Sequence, residues 1–354
     1  MNVLRDVTEE GARLLSHLRA RRRSPLQWAL DASVFYSFDA SGLRRHRHDH
    51  QRAQARRNAE SDRSLARFHY LITGANSGLG FALADQLMAR DAAVSVLCRN
   101  PERGARAIER LAERHGRAPK LYIADLTDLS AIDAASDQII SDIEGRLSSP
   151  ITCLVHNAGL LPLELSLTST GHELTVGAHL IGPTRLTARL LPALADPARV
   201  ILMSSGGMYT APLDVDRMFT APSPERYDGV SAYAFTKRAQ VELATLWHER
   251  FQQQSQRYID VQSAHPGWAD TPGVERSLAV FHEKMSGRLR TSDEGAEAIT
   301  WLCALPPLPT SHFWFDWAPR NAYLLGKRPR ALERERLWDA LCQGAQLERD
   351  WHLS

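Results

Sequence analysis

The stretch Phe68-His-Tyr-Leu-Ile-Thr73-Gly-Ala-Asn-Ser-Gly-Leu-Gly80 decides the fold of this chain. Its first six residues resemble a short buried strand, and the residues up to Met88 continue with helical spacing. Glycines between a strand and a helix are typical of a turn that binds a dinucleotide. There Gly74 takes positive φ, Gly78 lets the backbone approach a pyrophosphate, and Gly80 allows close helix packing. Free N–H groups at the helix N-terminus suit phosphates. The expected contacts are Gly74, Asn76, Ser77, Gly78, Leu79 and Gly80.

The composition of the 354-residue chain is that of an ordinary globular protein, with 44% hydrophobic and 24% charged residues. This composition, with a net charge of only +2, argues against disorder, collagen-like repeats and a dedicated nucleic-acid binder. No apolar run approaches the roughly 20 residues that a membrane-spanning helix needs. The four cysteines form no CxxC pair, which predicts reduced thiols and a cytoplasmic protein.

Residues 1–66 form a basic extension that we predict to be partly helical. Residues 1–70 contain 14 arginines and 8 acidic residues, a net charge of +6. A helical face over 3–18 is followed by arginines at 19–23 and an aromatic stretch at 25–38. Packing on the main domain is the favoured interpretation, and peripheral contact with an anionic membrane surface is the alternative. His46, His48 and His50 alternate among arginines, which predicts a charged, exposed loop and no metal site.

Five further apolar stretches alternate with helical segments, at 93–98, 121–124, 151–156, 199–203 and 258–263. This alternation predicts an α/β fold with a doubly wound parallel sheet, the Rossmann fold, in a single domain over 67–305. Residues 306–354 are predicted to form a C-terminal extension, an aromatic-rich segment followed by a helix. The carboxyl ends of parallel strands meet in one crevice, so we expect the ligand there.

Arg99 occupies the position, at the end of the second predicted strand, that distinguishes NAD from NADP in dinucleotide-binding units. An NAD-binding unit usually has an acidic residue at this strand end, about 20 residues past the glycines, which binds the ribose 2′-hydroxyl. A guanidinium instead accommodates a 2′-phosphate, so Arg99 predicts NADP rather than NAD. Asp125-Leu126, after the third strand, is suited to contact an adenine ring.

Tyr233 and Lys237 are the strongest candidates for catalysis, because a phenol and an ammonium four residues apart project from one face of a helix. A nearby cation favours the phenolate, so we expect Lys237 to lower the pKa of Tyr233 and allow acid–base chemistry near neutral pH. Ser205 follows the fifth predicted strand and is placed to hold a substrate oxygen.

These motifs together resemble the short-chain dehydrogenase/reductase family, and within it the member-twelve subgroup. The order of motifs is Thr73–Gly80, Asp125-Leu126, Asn157-Ala158-Gly159, Ser204-Ser205, Tyr233-Ala-Phe-Thr-Lys237 and Pro266-Gly267. The resemblance implies that Tyr233 is the general acid/base, Ser205 orients the carbonyl, and Lys237 binds the nicotinamide ribose. It also implies cofactor contacts at Asn157, Ala158, Gly159, Pro266, Gly267 and Thr271. His179 stands where the family has an asparagine in its proton relay, and histidine also exchanges protons near neutral pH; a packing role is the alternative.

The sequence therefore predicts an NADP(H)-dependent oxidoreductase acting on a small carbonyl compound or alcohol, with a lipophilic substrate favoured. A non-catalytic NADP-binding sensor or partner-binding protein on the same scaffold is the alternative. The tail aromatics either line an apolar pocket, or seal the tail onto the core or form a subunit contact. They are Phe313, Trp314, Phe315, Trp317 and Tyr323. Homo-oligomers are common in the family, and the sequence leaves the oligomeric state open.

Overall fold

One eight-stranded sheet forms the centre of the computed structural model, which describes residues 2–19, 37–55, 64–220, 222–254, 257–323 and 328–353. Within those residues the strands are β1 (His69–Thr73), β2 (Ala93–Cys98), β3 (Lys120–Ile123), β4 (Ile151–His156), β5 (Leu194–Met203), β6 (Ile259–His265), β7 (Phe313–Phe315) and β8 (Ala318–Arg320). Their order is β3-β2-β1-β4-β5-β6-β7-β8. Neighbouring strands pair in parallel, except that β8 is antiparallel to β7.

Helices cover both faces of this sheet. They are α1 (Asn2–Arg19), α2 (Ala40–Ala55), α3 (Gly78–Met88), α4 (Pro101–His115), α5 (Leu129–Glu144), α6 (Leu174–Val176), α7 (Gly182–Leu190), α8 (Val215–Phe219), α9 (Gly229–Gln254), α10 (Pro272–Ser277), α11 (Ala279–Lys284), α12 (Ser292–Cys303) and α13 (Ala331–Gly344). A π-helical turn, Gly177–Ile181, joins α6 to α7. One apolar core lies under α5, α7, α9 and α13, and a second under α3, α12 and α1. Every residue of β1 and β6 is buried, as expected for strands covered on both faces. The predicted doubly wound α/β fold is confirmed.

The N-terminal helix α1 packs on the main domain. Leu15 and Leu18 are 4% and 5% exposed and belong to the same core as Ile72 of β1. This contact supports the packing interpretation for α1. Arg21, Arg22 and Arg23, together with most of the predicted aromatic stretch, up to residue 36, lie outside the described residues. Of the helices that the structure describes, none combines the length and apolar character needed to cross a bilayer.

The expected exposed loop around His46, His48 and His50 is wrong, because this segment is helix α2 and packs against the far end of the chain. His46 is buried, with its Nδ1 2.7 Å from Asp316 Oδ2. The buried His50 ring stacks on Trp317 with the ring centroids 5.0 Å apart. This helix buries histidines rather than a stripe of aliphatic residues, so its sequence has no clear apolar periodicity.

The central sheet continues past residue 305, into the predicted C-terminal extension. Strand β7 pairs with β6, with Phe313 opposite Ser263 and Phe315 opposite His265, so the tail continues the central sheet. The tail residues from Phe313 to Trp317 are buried, which supports the interpretation that these aromatics seal the tail onto the core. A strand of three aromatic residues is too short to show a period in the sequence.

Candidate active site

The glycine turn between β1 and α3 has the shape that a pyrophosphate requires. Gly74 and Gly78 have φ of 70° and 56°, which L side chains rarely adopt. A Cβ on Gly80 would lie 2.5 Å from Nδ2 of Asn157, so a side chain does not fit there. Ser77 makes no side-chain hydrogen bond to the start of α3, which leaves the N–H groups at this helix end without a cap. The turn therefore fits a dinucleotide phosphate. Asn76, Ser77 and Leu79 are half-buried or exposed along it.

The end of β4 connects the glycine turn to the predicted catalytic residues. The Asn157 amide donates to the carbonyl of Thr73 at 3.0 Å, and Ala158 N donates to Thr73 Oγ1 at 3.0 Å. A Cβ on Gly159 would lie 3.8 Å from Lys237 Nζ, so the backbone passes directly over the ammonium. The predicted cofactor turn and the predicted catalytic lysine thus share one crevice.

Arg99 and Asp125 lie side by side at the ends of β2 and β3. Arg99 is 68% exposed, and its Nη1 is 3.7 Å from Asp125 Oδ2. The Asp125 carboxylate accepts from the backbone N–H and the hydroxyl of Thr127 at 2.9 and 2.8 Å. The neighbouring Leu126 is buried. The guanidinium therefore lies exposed at the rim of the crevice, in an ion pair with Asp125.

The segment after β6 brings Thr271 to the glycine turn. A Cβ on Gly78 would lie 3.4 Å from the Thr271 Cβ. Gly267 has φ of 84°, and a side chain at this position would collide with the guanidinium of Arg290. That guanidinium also donates to the Pro266 carbonyl at 3.1 Å. Arg290 thus shapes the backbone on this side of the crevice.

Ser205, Tyr233 and Lys237 come together at the centre of the crevice. Lys237 Nζ lies 5.3 Å from the centroid of the Tyr233 ring on the same face of α9. A Cβ on Gly207 would lie 3.9 Å from both Ser205 Oγ and the Tyr233 ring, so the two side chains face the same side of this loop. Ser205 Oγ also accepts from Gly207 N at 3.3 Å. The Lys237 ammonium donates to the Met203 carbonyl at 2.7 Å. The three residues predicted to be catalytic are therefore in one place.

The expectation that Lys237 lowers the pKa of Tyr233 is wrong for the free protein. Burial raises the pKa of Tyr233, and the contact with Ser205 opposes this only in part. Burial also lowers the pKa of Lys237 to about 7, so the lysine is not fully charged at neutral pH. Tyr233 therefore holds its proton at neutral pH, the form that a general acid needs.

The His179 ring lies beside both residues, within the π-helical turn, and both of its nitrogens are engaged. Nε2 accepts from Leu160 N at 3.0 Å, so the proton of the neutral ring is on Nδ1, which is 2.9 Å from Thr236 Oγ1. The Thr236 hydroxyl in turn donates to the carbonyl of Tyr233. Burial and the Lys237 charge hold the pKa of His179 well below its usual value. The His179 ring is therefore neutral and lines the site, with its centroid 5.6 Å from the centroid of the Tyr233 ring.

Phe38, which the sequence analysis did not assign to the site, supports the Ser205 loop from behind. A Cβ on Gly206 would collide with the Phe38 ring. The ring also packs on His265 and Phe315, with centroid distances of 4.6 and 4.8 Å. Its backbone carbonyl accepts from Trp268 N at 2.8 Å. About 170 positions separate Phe38 from the loop, so no local pattern could have indicated this contact.

Replacing His265 with phenylalanine is expected to reduce the acid sensitivity of folding. His265 is fully buried between aromatic rings, neither ring nitrogen has a hydrogen-bond partner among the described residues, and burial lowers its pKa to about 3. In the unfolded chain the His265 imidazole has a pKa of about 6.5. Below that pH the unfolded chain therefore binds a proton at this residue, whereas the folded protein does not. His265 therefore costs about 1.4 kcal/mol of stability per pH unit between about pH 6 and 4.

Urea unfolding between pH 7 and pH 4 measures this effect. The free energy of unfolding in the His265→Phe variant should fall less steeply than in the wild type, by about 2 kcal/mol in total at pH 5. The matched control is His282→Phe, since His282 is partly exposed and pairs with Asp270 at 2.9 Å. Parallel pH curves for the wild type and the His265 variant would contradict the prediction.

Comparisons with known proteins agree with this geometry. The family model described as short chain dehydrogenase matches residues 69–213. Dehydrogenase/reductase SDR family member 12 of Homo sapiens is 34% identical over 288 residues, which cover 78% of this chain and 86% of that protein. The chain therefore belongs to the short-chain dehydrogenase/reductase family, oxidoreductases that use nicotinamide cofactors. Its similarity to a member-twelve protein confirms the subgroup that the motifs predicted.

Solved structures show the same fold. An uncharacterized protein from Mycobacterium paratuberculosis superposes with a TM-score of 0.62 at 24% identity, covering 81% of this chain and 96% of that one. A short chain dehydrogenase from Shigella flexneri 2a str. 301, complexed with NADP, has a TM-score of 0.55 at 21% identity and covers 72% and 98%.

Proposed function

We propose that this protein is an NADP(H)-dependent oxidoreductase that interconverts a lipophilic carbonyl compound and its alcohol. The observation that carries the proposal is the meeting of Ser205, Tyr233 and Lys237 in one crevice, which also holds the glycine turn. Tyr233 is partly buried and protonated, the Ser205 hydroxyl lies on the same side of the Gly207 loop, and the backbone of Gly159 lies beside Lys237. Neither a structural nor a purely nucleotide-binding role needs this triad.

In carbonyl reduction, Ser205, Tyr233 and Lys237 have different roles at the substrate oxygen. When bound, the nicotinamide supplies the hydride to the carbonyl carbon. The Ser205 hydroxyl donates a hydrogen bond to the carbonyl oxygen and orients it. The Tyr233 phenol then transfers its proton to that oxygen, and Lys237, in its charged form, stabilises the resulting phenolate. The reverse direction uses the same groups with Tyr233 as the base.

Two features support NADP over NAD. Arg99 is exposed at the end of β2, at the position where an NAD-binding unit usually has the acidic residue for the ribose 2′-hydroxyl. The structurally similar Shigella flexneri dehydrogenase was crystallised with NADP. A planar guanidinium with several donors also suits the geometry of a phosphate group.

Replacing Arg99 with serine is expected to weaken NADPH binding by roughly 10- to 100-fold, because hydrogen bonds to a charged group contribute about 1.5–3 kcal/mol. NADH lacks the 2′-phosphate, so its affinity should stay within a few-fold. Titration of the intrinsic fluorescence with each cofactor measures both constants. Arg106→Ser is the matched control, since Arg106 is an exposed arginine on α4. Equal losses for NADPH and NADH would contradict the assignment of Arg99.

Apolar side chains near Tyr233 support a lipophilic substrate. Val230 lies one turn before Tyr233 on α9 and is 50% exposed, and Leu163 and Leu167 are 67% and 50% exposed. The segment that carries the two leucines touches α9, because the Pro162 carbonyl packs directly on Gly229. Exposed apolar groups beside an active site are typical of surfaces that receive apolar ligands.

The test of the proposed function is NADPH oxidation by the purified protein over a panel of carbonyl compounds of increasing chain length. We expect turnover with NADPH that improves as the substrate becomes more apolar. The same assay with NADH tests the cofactor preference. Tight NADPH binding without turnover on any member of the panel would contradict the enzyme assignment and favour the sensor interpretation.

A further inference from the structure

Gln240 is a buried amide that contacts the catalytic lysine on one side and the π-helical turn on the other. It lies one turn after Lys237 on the same face of α9 and is 1% exposed. Its Oε1 accepts from Lys237 Nζ at 3.0 Å, and its Nε2 donates to the carbonyl of His179 at 3.0 Å. An ammonium only donates and a carbonyl only accepts, so the chemistry of the two partners fixes the orientation of the amide.

The sequence explains why the α-helical hydrogen bond of the His179 carbonyl is missing. In an α-helix this carbonyl would accept from the N–H of the residue four positions later. That residue is Pro183, which has no N–H. The Gln240 amide donates to this carbonyl instead, and this hydrogen bond stabilises the turn. Once Nε2 is held there, Oε1 of the same amide is aimed at Lys237.

The hydrogen bond to Gln240 also determines the position of the Lys237 ammonium. Lys237 Nζ is buried and donates to two neutral acceptors, the Met203 carbonyl and Gln240 Oε1. The third N–H then remains for the cofactor ribose. Both acceptors compensate part of the cost of burying a charge, so the loss of one would disfavour the ammonium form and release the end of the side chain.

We propose that Gln240 is a positioning residue that holds the Lys237 ammonium beneath Tyr233 by tying it to the π-helical turn. This inference deepens the proposed function and rests on it for its catalytic meaning. The titratable groups that face Lys237 are Tyr233 on the same helix, His179 on the turn and His265 at the end of β6. None of these side chains is altered by a substitution at Gln240.

The chain allows a direct test, because it contains only four lysines, Lys120, Lys237, Lys284 and Lys327. With ¹³C-labelled lysine, the side-chain signals can be followed by NMR as the pH is raised, and a Lys237→Arg variant assigns the signal of interest. Gln240→Met keeps the shape but removes the acceptor, so we expect the pKa of Lys237 to fall by about one unit. Gln240→Glu puts a carboxylate beside the ammonium, so we expect it to rise by about one to three units.

Gln262→Met is the matched control. Gln262 is also a fully buried glutamine with several hydrogen bonds, among them one from Trp314 Nε1 at 2.7 Å, but it does not contact the site. This variant should leave the Lys237 titration unchanged. In turnover assays, Gln240→Met should lower kcat about 10-fold at neutral pH, whereas Gln262→Met should not.

The two readouts separate failure of this inference from failure of the proposed function. Opposite shifts of the Lys237 pKa in the two Gln240 variants would support the positioning role even in a protein that turns over none of the substrates. Identical Lys237 titrations in the wild type, Gln240→Met and Gln240→Glu would overturn it, whatever the activity. Since Gln240→Glu is nearly isosteric, it provides the test if Gln240→Met does not fold.

Discussion

A Tyr233→Phe variant is expected to lose turnover by roughly 10²- to 10⁴-fold, the usual contribution of a positioned acid or base. The phenyl ring keeps the packing on His179, with centroids 5.6 Å apart, so the site should stay folded. The substitution removes only the phenol hydroxyl, which holds its proton at neutral pH and supplies it to the substrate in the proposed reaction. NADPH affinity should change little, because the glycine turn and Arg99 are untouched. Steady-state kinetics and cofactor titration of the same preparation measure both quantities.

Tyr227→Phe is the control for this variant. Tyr227 precedes Tyr233 by only six positions, and its phenol donates to the Glu173 carboxylate at 2.8 Å. Losing that hydrogen bond should lower stability by about 1 kcal/mol and leave kcat within a few-fold. A Tyr233→Phe enzyme that turns over as fast as Tyr227→Phe would exclude Tyr233 as the acid.

An Arg290→Met variant is expected to lose about 3–5 kcal/mol of folding stability, because it leaves a carboxylate buried without its main partner. Arg290 is 1% exposed and donates to both oxygens of Asp316, at 2.6 and 2.7 Å. It also donates to the carbonyls of Ser37 and Asp39, at 3.1 and 3.2 Å. Its removal therefore releases the N-terminal segment as well as the tail. Urea unfolding at pH 7 measures the loss.

An exposed arginine gives the comparison. Arg349 is 61% exposed and pairs with Asp339 at 2.9 Å, so Arg349→Met should cost less than about 1 kcal/mol. Combining Arg290→Met with Asp316→Leu should be less damaging than Arg290→Met alone, because neither charge is then left buried without its partner. If Arg290→Met costs no more than Arg349→Met, the buried network does not hold the two chain ends.

The sequence predicted the parts of the molecule that depend on local pattern. The glycine turn is encoded within eight residues. The alternation of apolar strands with helices repeats along the chain, and these two local patterns were enough to predict the Rossmann fold. Tyr233 and Lys237 were predicted to share a helix face, and α9 confirms this. Gln240 was visible on that face by the same spacing, but its role depends on the carbonyl of His179, which belongs to another element.

The contacts that the sequence did not predict join residues far apart in the chain. His46 meets Asp316 across 270 positions, and Phe38 meets Gly206 across about 170. A charged helix such as α2 looks solvent-exposed unless its buried partner is known. The pKa of Tyr233 was also mispredicted, because the distance to a cation could be judged from spacing while the depth of burial could not.

The convergence of both chain ends on one loop has a consequence for biosynthesis. Phe38 and α2 leave the ribosome early, whereas Arg290, Phe315 and Asp316 are among the later residues to be made. During synthesis the N-terminal part of a chain emerges first, whereas a domain generally folds as a unit. Here the N-terminal segment can form its contacts with Arg290, Phe315 and Asp316 only after those residues have been synthesised. The nascent chain therefore completes its catalytic loop only after Arg290, Phe315 and Asp316 have been made.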